Sequence, residues 1–179
     1  MMKLDPRTLL AAAAIILGAS AAHAEDEYIV VGTASDVYEE SEMANPVINQ
    51  WANNDRVLPG MAFKVMQQME GAYSVEFPGW AGAWVPAKAC AVPQEVNPAA
   101  GTYTFPIEDG ETYTATLSEP REDGTWRVET RKGAATARRV SPTLILIYDD
   151  ATRVQEGTIT AVAGKTYLYI YDTMLLGWD

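Results

Sequence analysis

The stretch GTYTFPIEDGETYTATL, residues 101–117, opens on Gly-Thr, alternates polar with bulky residues, meets Asp109-Gly110 and then alternates again. Two alternating runs about an Asp-Gly describe a β-hairpin, because glycine supplies the positive φ that a tight turn needs. The same plan recurs in GTWRVETRKGAATARRV, which starts at Gly124 and turns at Gly133, and in GTITAVAGKTYLYIY, which starts at Gly157 and turns at Gly164. A second echo sets LILIYDD (144–150) beside YLYIYDT (167–173). The spacing is too irregular for a solenoid and predicts an antiparallel meander of six to eight strands over 101–179.

Within that meander TWRVET is simple: Trp126 and Val128 face the core, Arg127 and Glu129 face water. KTYLYIYD is bulky on both sides, with Tyr167, Tyr169 and Tyr171 on one face and Leu168 and Ile170 on the other. Such a sheet must be covered twice, by curling on itself or by docking on another unit. Helix is nearly absent, apart from a turn around Asp150 to Val154.

Upstream, AVPQEVNPAAG (91–101) has two prolines, small residues and no sustained alternation, which reads as a linker over 93–100. Before it, Tyr28 to Val31 reads as a strand that breaks at Gly32, with a further extended piece around Val37 and Tyr38. Met61, Phe63 and Val65 alternate as a strand does. Pro46, Asn53-Asn54 and Pro59-Gly60 argue against a long helix between these, although Val47 to Ala52 could make one turn. Met1 to Ala24 places Lys3 and Arg7 before an apolar run from Leu9 to Gly18 and ends on Ala22-His23-Ala24, the pattern of a cleaved secretory signal. The run is shorter than the roughly 20 apolar residues of a spanning helix, so no integral membrane span is expected in the mature chain. The expected organisation is a signal peptide at 1–24, a first unit at 25–92, the linker, and the meander.

Export and composition exclude several chemistries. Of 179 residues, removal of the leader leaves 155, and loss of Lys3, Arg7 and Asp5 moves the net charge from −11 to about −12. That charge repels phosphate backbones, so nucleic acid is not an expected partner. The single histidine, His23, leaves with the leader, and a single cysteine, Cys90, cannot close an intrachain disulfide. No Ser-His-Asp triad, Cys-His dyad or histidine-ligated zinc site can then be built within one mature chain. Glu108-Asp109-Gly110 and Glu122-Asp123-Gly124 read as turns rather than calcium loops. No catalytic residue, metal or cofactor is expected.

Residues 28 to about 92 resemble a bacterial SH3-like domain, a small five-stranded barrel of exported cell-envelope proteins. The resemblance rests on Tyr73-Ser74-Val75, Pro78-Gly79, Gly82-Ala83-Trp84-Val85 and Pro86-Ala87-Lys88-Ala89, with Leu58-Pro59-Gly60 before Phe63 and Val65. Two features depart from the family: Ser35 to Glu40 replaces its usual Asn-Val-Arg-Ser-Gly-Pro segment, and Ala83 stands where glycine is common. The resemblance implies an all-β fold, an SH3-like barrel followed by the meander, and a non-catalytic binding role in the periplasm or outside the cell. The partner implied is a cell-wall glycan, a peptide or another envelope protein. In such a barrel Trp84 and Val75 are expected to point inward. Trp80, at a hairpin tip, is free for a contact with ligand, with the second unit or with a partner. Trp51 lies in a polar loop where it either stacks on a sugar or plugs the barrel. Trp51, Tyr73 and Trp80 together are the candidate groove. Cys90 is expected to be buried, the alternative being a bridge between chains. The rival readings are a structural or inhibitory interaction subunit using Trp80 and the tyrosine face, and a hydrolase built on paired carboxylates.

Overall fold

In the computed structural model, residues 27–44, 46, 56–77, 80–106, 112–131 and 133–170 are described, with the side chains of Phe77, Trp80, Ala81, Phe105 and Pro106 left aside. These residues form an all-β protein; the one helical element among them is a single 3-10 turn, Ala87–Ala89. None of them lies in a helix long and apolar enough to cross a membrane.

The first unit contains β1 (Tyr28–Val31), β2 (Ser35–Asp36), β3 (Arg56–Val57), β4 (Ala62–Met69), β5 (Ala72–Phe77), β6 (Trp80–Pro86) and β7 (Cys90–Ala91). Five of these make one antiparallel sheet in the order β6-β5-β4-β1-β7, while β2 pairs with β3. Its core gathers Ile29, Val31, Val37, Val57, Met61, Phe63, Val75, Ala83 and Val85. Alternation explains the choice: Met61 and Phe63 point into this core, and Ala62 between them is buried on the opposite face.

The second unit is the meander: β8 (Gly101–Pro106), β9 (Thr112–Leu117), β10 (Trp126–Thr130), β11 (Gly133–Ser141), β12 (Leu144–Asp149), β13 (Gln155–Val162) and β14 (Lys165–Ile170). Each strand pairs with the next, giving seven antiparallel strands in the order β14-β13-β12-β11-β10-β9-β8. The sheet curls until β14 touches β8, so that it is nearly a barrel. Between β13 and β14 the turn falls on Ala163 and Gly164, with φ of 50° and 77°, the doubly positive geometry of a type I′ hairpin. Trp126 and Val128 are buried and Arg127 and Glu129 exposed, as alternation predicts.

The double apolarity of the later strands is resolved by both routes at once. Ile145, Ile147, Ile159, Leu168 and Ile170 fill the curled interior. Leu144, Leu146 and Val162 point outward and pack with Val30 and Ala62 of the first unit, flanked by Tyr28, Ala91, Tyr148 and Tyr167. Each such side chain removed from water is worth about 1.5–3 kcal/mol, so this second core welds the units together.

Polar contacts then fix the angle. Leu58 to Met61 forms a turn closed by the Met61 N–H on the Leu58 carbonyl at 3.1 Å, with Gly60 at φ 89°. Proline at the second position and positive-φ glycine at the third make it type II. Thr160, fully buried, donates its hydroxyl to the Gly60 carbonyl at 2.6 Å, and Tyr169 donates to the Pro59 carbonyl at 3.0 Å. The tyrosine face of β14 is therefore spent inside the chain: Tyr167 and Tyr169 stack with centroids 6.2 Å apart against this turn. Tyr171 lies outside the described residues.

The segment between the units is stitched down. The Gln94 N–H donates to Ala161 at 2.9 Å, the Gly164 N–H donates to the Gln94 side-chain oxygen at 2.7 Å, and the Val96 N–H donates to Pro142 at 3.0 Å. The Val96 side chain is completely buried in the core of the second unit.

Burial pushes the Tyr169 hydroxyl from 10.0 up to about 12, with the neighbouring Tyr167 adding to the effect. The folded chain thus favours neutral Tyr169, and its contribution is complete below pH 10 and is lost as pH rises from 10 toward 12. Denaturation measured across that window is expected to show falling stability, with a shallower fall in Tyr169→Phe. An identical slope in the two proteins would remove Tyr169 as the titrating group.

Candidate functional site

The strand β6 decides which aromatic residues face outward. Its register sets Val75 opposite Ala83, Tyr73 opposite Val85 and Ser74 opposite Trp84. Because facing residues share a face, Ala83 and Val85 join the core while Trp84 is carried to the other side. The expectation that Trp84 points inward with Val75 is corrected here: Val75 is fully buried, and Trp84 is half-buried on the opposite face. A one-residue difference in parity is enough to exchange the two faces of a strand.

Across its free edge Trp84 meets Tyr38. The Tyr38 N–H donates to the Trp84 carbonyl at 3.0 Å and the Trp84 N–H returns to Tyr38 at 2.8 Å, so the two are a hydrogen-bonded antiparallel pair. On its far side Tyr38 bridges Pro46. Ser74, Trp84, Tyr38 and Pro46 thus form a row across four chain segments, with Tyr38 and Trp84 half-buried and Pro46 exposed. Val37, next to Tyr38, is buried in the core and holds the strand down from the other face. Beyond the row stand the exposed Glu39 and Glu40, and the Asp36 carboxylate pairs with Arg56 at 3.3 Å. This pair is solvent-exposed and adds little stability.

Two aromatic planes beside carboxylates can stack on a sugar or proline ring while the oxygens accept hydrogen bonds from hydroxyl or amide groups. Neither Tyr38 nor Trp84 belongs to the apolar core between the two units or to the Thr160–Gly60 and Tyr169–Pro59 hydrogen bonds.

Of the groove residues expected from sequence, Tyr73 sits on β5, half-buried against the core of the first unit and facing away from Trp84. Trp80 opens β6 opposite Phe77, and its side chain lies outside what is described. Trp51 lies outside the described residues, as does the turn suggested for 47–52. The structure therefore brings forward Tyr38, expected only as part of an extended piece, and Trp84, expected in the core. The available signal was the alternation itself, since a buried Val85 forces its neighbour outward.

The remaining reactive groups have local roles. Cys90 is half-buried, donates weakly to the Pro86 carbonyl at 3.7 Å, and is pushed up to about 11 by burial, which keeps it a thiol. Asp123 accepts from the Thr125 hydroxyl at 2.7 Å and N–H at 3.0 Å, and these bonds hold its carboxyl below the usual range. Asp149 is lowered chiefly by the backbone N–H of Thr152, beside that of Ala151 at 2.8 Å. Both carboxylates organise turns. Among the described residues no three acidic, cysteine or histidine side chains are grouped to hold a metal.

No protein-family model, curated protein or solved structure matches the chain.

Proposed function

We propose that the chain is an exported, non-catalytic binding protein of the cell envelope, with an SH3-like first unit that takes an extended cell-wall glycan or peptide. The observation that carries this reading is the row Trp84–Tyr38–Pro46, an aromatic strip outside the core of the first unit whose residues take no part in the apolar core between the units. The five-stranded antiparallel sheet of that unit, ending in β6, the 3-10 turn and β7, supports the SH3-like assignment. The second unit acts as a rigid base, joined through the second apolar core. The patterned leader, Met1 to Ala24, supports export.

The test is tryptophan fluorescence of the mature protein titrated with soluble peptidoglycan fragments. Trp84→Ala is expected to weaken binding at least tenfold, about 1.4 kcal/mol, while leaving the unfolding midpoint nearly unchanged because the ring lies outside the core. Tyr73→Phe, altered only on the core side, is expected to bind as the parent does. A saturable response that survives Trp84→Ala would sink the assignment of this strip.

A further inference from the structure

Within the row that carries Trp84 and Tyr38, one polar side chain is buried without a partner. Ser74 stands opposite Trp84 on β6 and opposite Gln67 on β4, so the row runs Gln67, Ser74, Trp84, Tyr38, Pro46. Gln67 is exposed and Trp84 half-buried, whereas Ser74 keeps only 5% of its exposure. Among the described residues its hydroxyl makes no hydrogen bond. A hydroxyl taken out of water is normally bonded, and leaving it unpaired costs the fold stability.

The backbone beside it is open. Val75 pairs with Ala83 and Glu76 with Ala81, so Gly82 is the extra residue of a bulge, at φ 90°. A Cβ placed on Gly82 would stand 3.9 Å from the Ser74 Oγ, with no other described atom within 4 Å beyond its chain neighbours. The absent side chain thus leaves a gap bordered by the hydroxyl, two residues along β6 from Trp84. Glycine inside a strand often marks a place where a ligand comes close to the backbone.

We propose that the Ser74 hydroxyl is the polar anchor of the Trp84–Tyr38 strip, a subsite reached over Gly82 that takes one amide group of the bound glycan or peptide. The inference rests on the reading of the strip as a binding face. A serine hydroxyl both donates and accepts, so it can meet the carbonyl oxygen or the N–H of an amide. The gap is one side chain wide, which suits a planar amide better than a whole sugar ring. The ring or chain then lies on Trp84 while the amide projects toward Ser74. Acetamido sugars and peptides share this group, and the test separates them.

The test is calorimetric titration of the mature parent protein, Ser74→Ala and Trp84→Ala with triacetylchitotriose and with a sugar-free stem peptide. Ser74→Ala is expected to weaken binding of one probe about fivefold, the scale of one neutral hydrogen bond. Its urea midpoint is expected to equal or exceed that of the parent, because no internal bond is lost. The probe that loses affinity identifies the source of the amide, and a loss with both means that the site takes it from either. Parental binding of both probes by Ser74→Ala, with Trp84→Ala weakened, overturns the anchor and leaves the strip standing. A lowered midpoint in Ser74→Ala also overturns it, by showing that the hydroxyl serves the fold. Binding untouched by Trp84→Ala, or absent in the parent, overturns strip and anchor together.

Discussion

Gly60→Ala is expected to destabilise the chain by about 3 kcal/mol, the combined scale of a left-handed backbone forced on a side-chain-bearing residue and of overpacking in a closed interface. Gly60 holds φ 89°, and a Cβ there would stand 2.1 Å from the ring carbon Cγ of Tyr167. The ring cannot simply swing aside, since it stacks on Tyr169, whose hydroxyl is tied to Pro59. The Gly60 carbonyl also receives the Thr160 hydroxyl, so moving the turn to relieve the clash breaks that bond. Urea unfolding of the single variant measures the total. Adding Tyr167→Ala to Gly60→Ala separates the causes, because the ring clash disappears and the backbone cost stays. A Gly60→Ala protein as stable as its parent would mean that the two units do not meet through this turn.

The second large effect is expected at Ile147→Ala, about 4 kcal/mol, near the upper part of the range for large-to-small core changes. Ile147 is completely buried, and its cross-strand neighbours are Ala137 on β11 and Gly157 on β13. Those small residues make room for the isoleucine, and they cannot grow into the space it would leave. Gly157 is held small by backbone, since a Cβ there would meet the Tyr169 carbonyl oxygen at 2.1 Å. Ile147→Val, which leaves most of the volume filled, is expected to cost about 1 kcal/mol by the same denaturation measurement. Equal small losses in both variants would show an interior that collapses around the cavity.

Local patterning carried much of the second unit. The Gly-Thr hairpins and the LILIYDD echo predict a meander of six to eight strands, and β8 to β14 are seven. Residues 28 to 31 form β1 as read, and Trp126 and Val128 are buried as their alternation requires. Hairpins are legible because their turn geometry and their period of two are properties of adjacent residues.

The candidate site was less legible, for a physical reason. The resemblance to an SH3-like barrel implies an inward Trp84, yet the face it takes depends on pairing with Ser74 rather than on its own hydrophobicity. Tyr38 is brought beside it from nearly fifty residues away, through backbone hydrogen bonds that no local pattern announces.

By itself the sequence determined an all-β chain, its hairpin turns, the apolar character of both faces in the last strands, and a count of one histidine and one cysteine. Only the tertiary structure decided that curling and docking both cover those faces, that the tyrosines of β14 are used against Pro59 and Gly60, and that Trp84 and Tyr38 share an outer face. The difference lies in range: turns and alternation are set by neighbours along the chain, whereas a face is buried or free according to which distant strand pairs beside it.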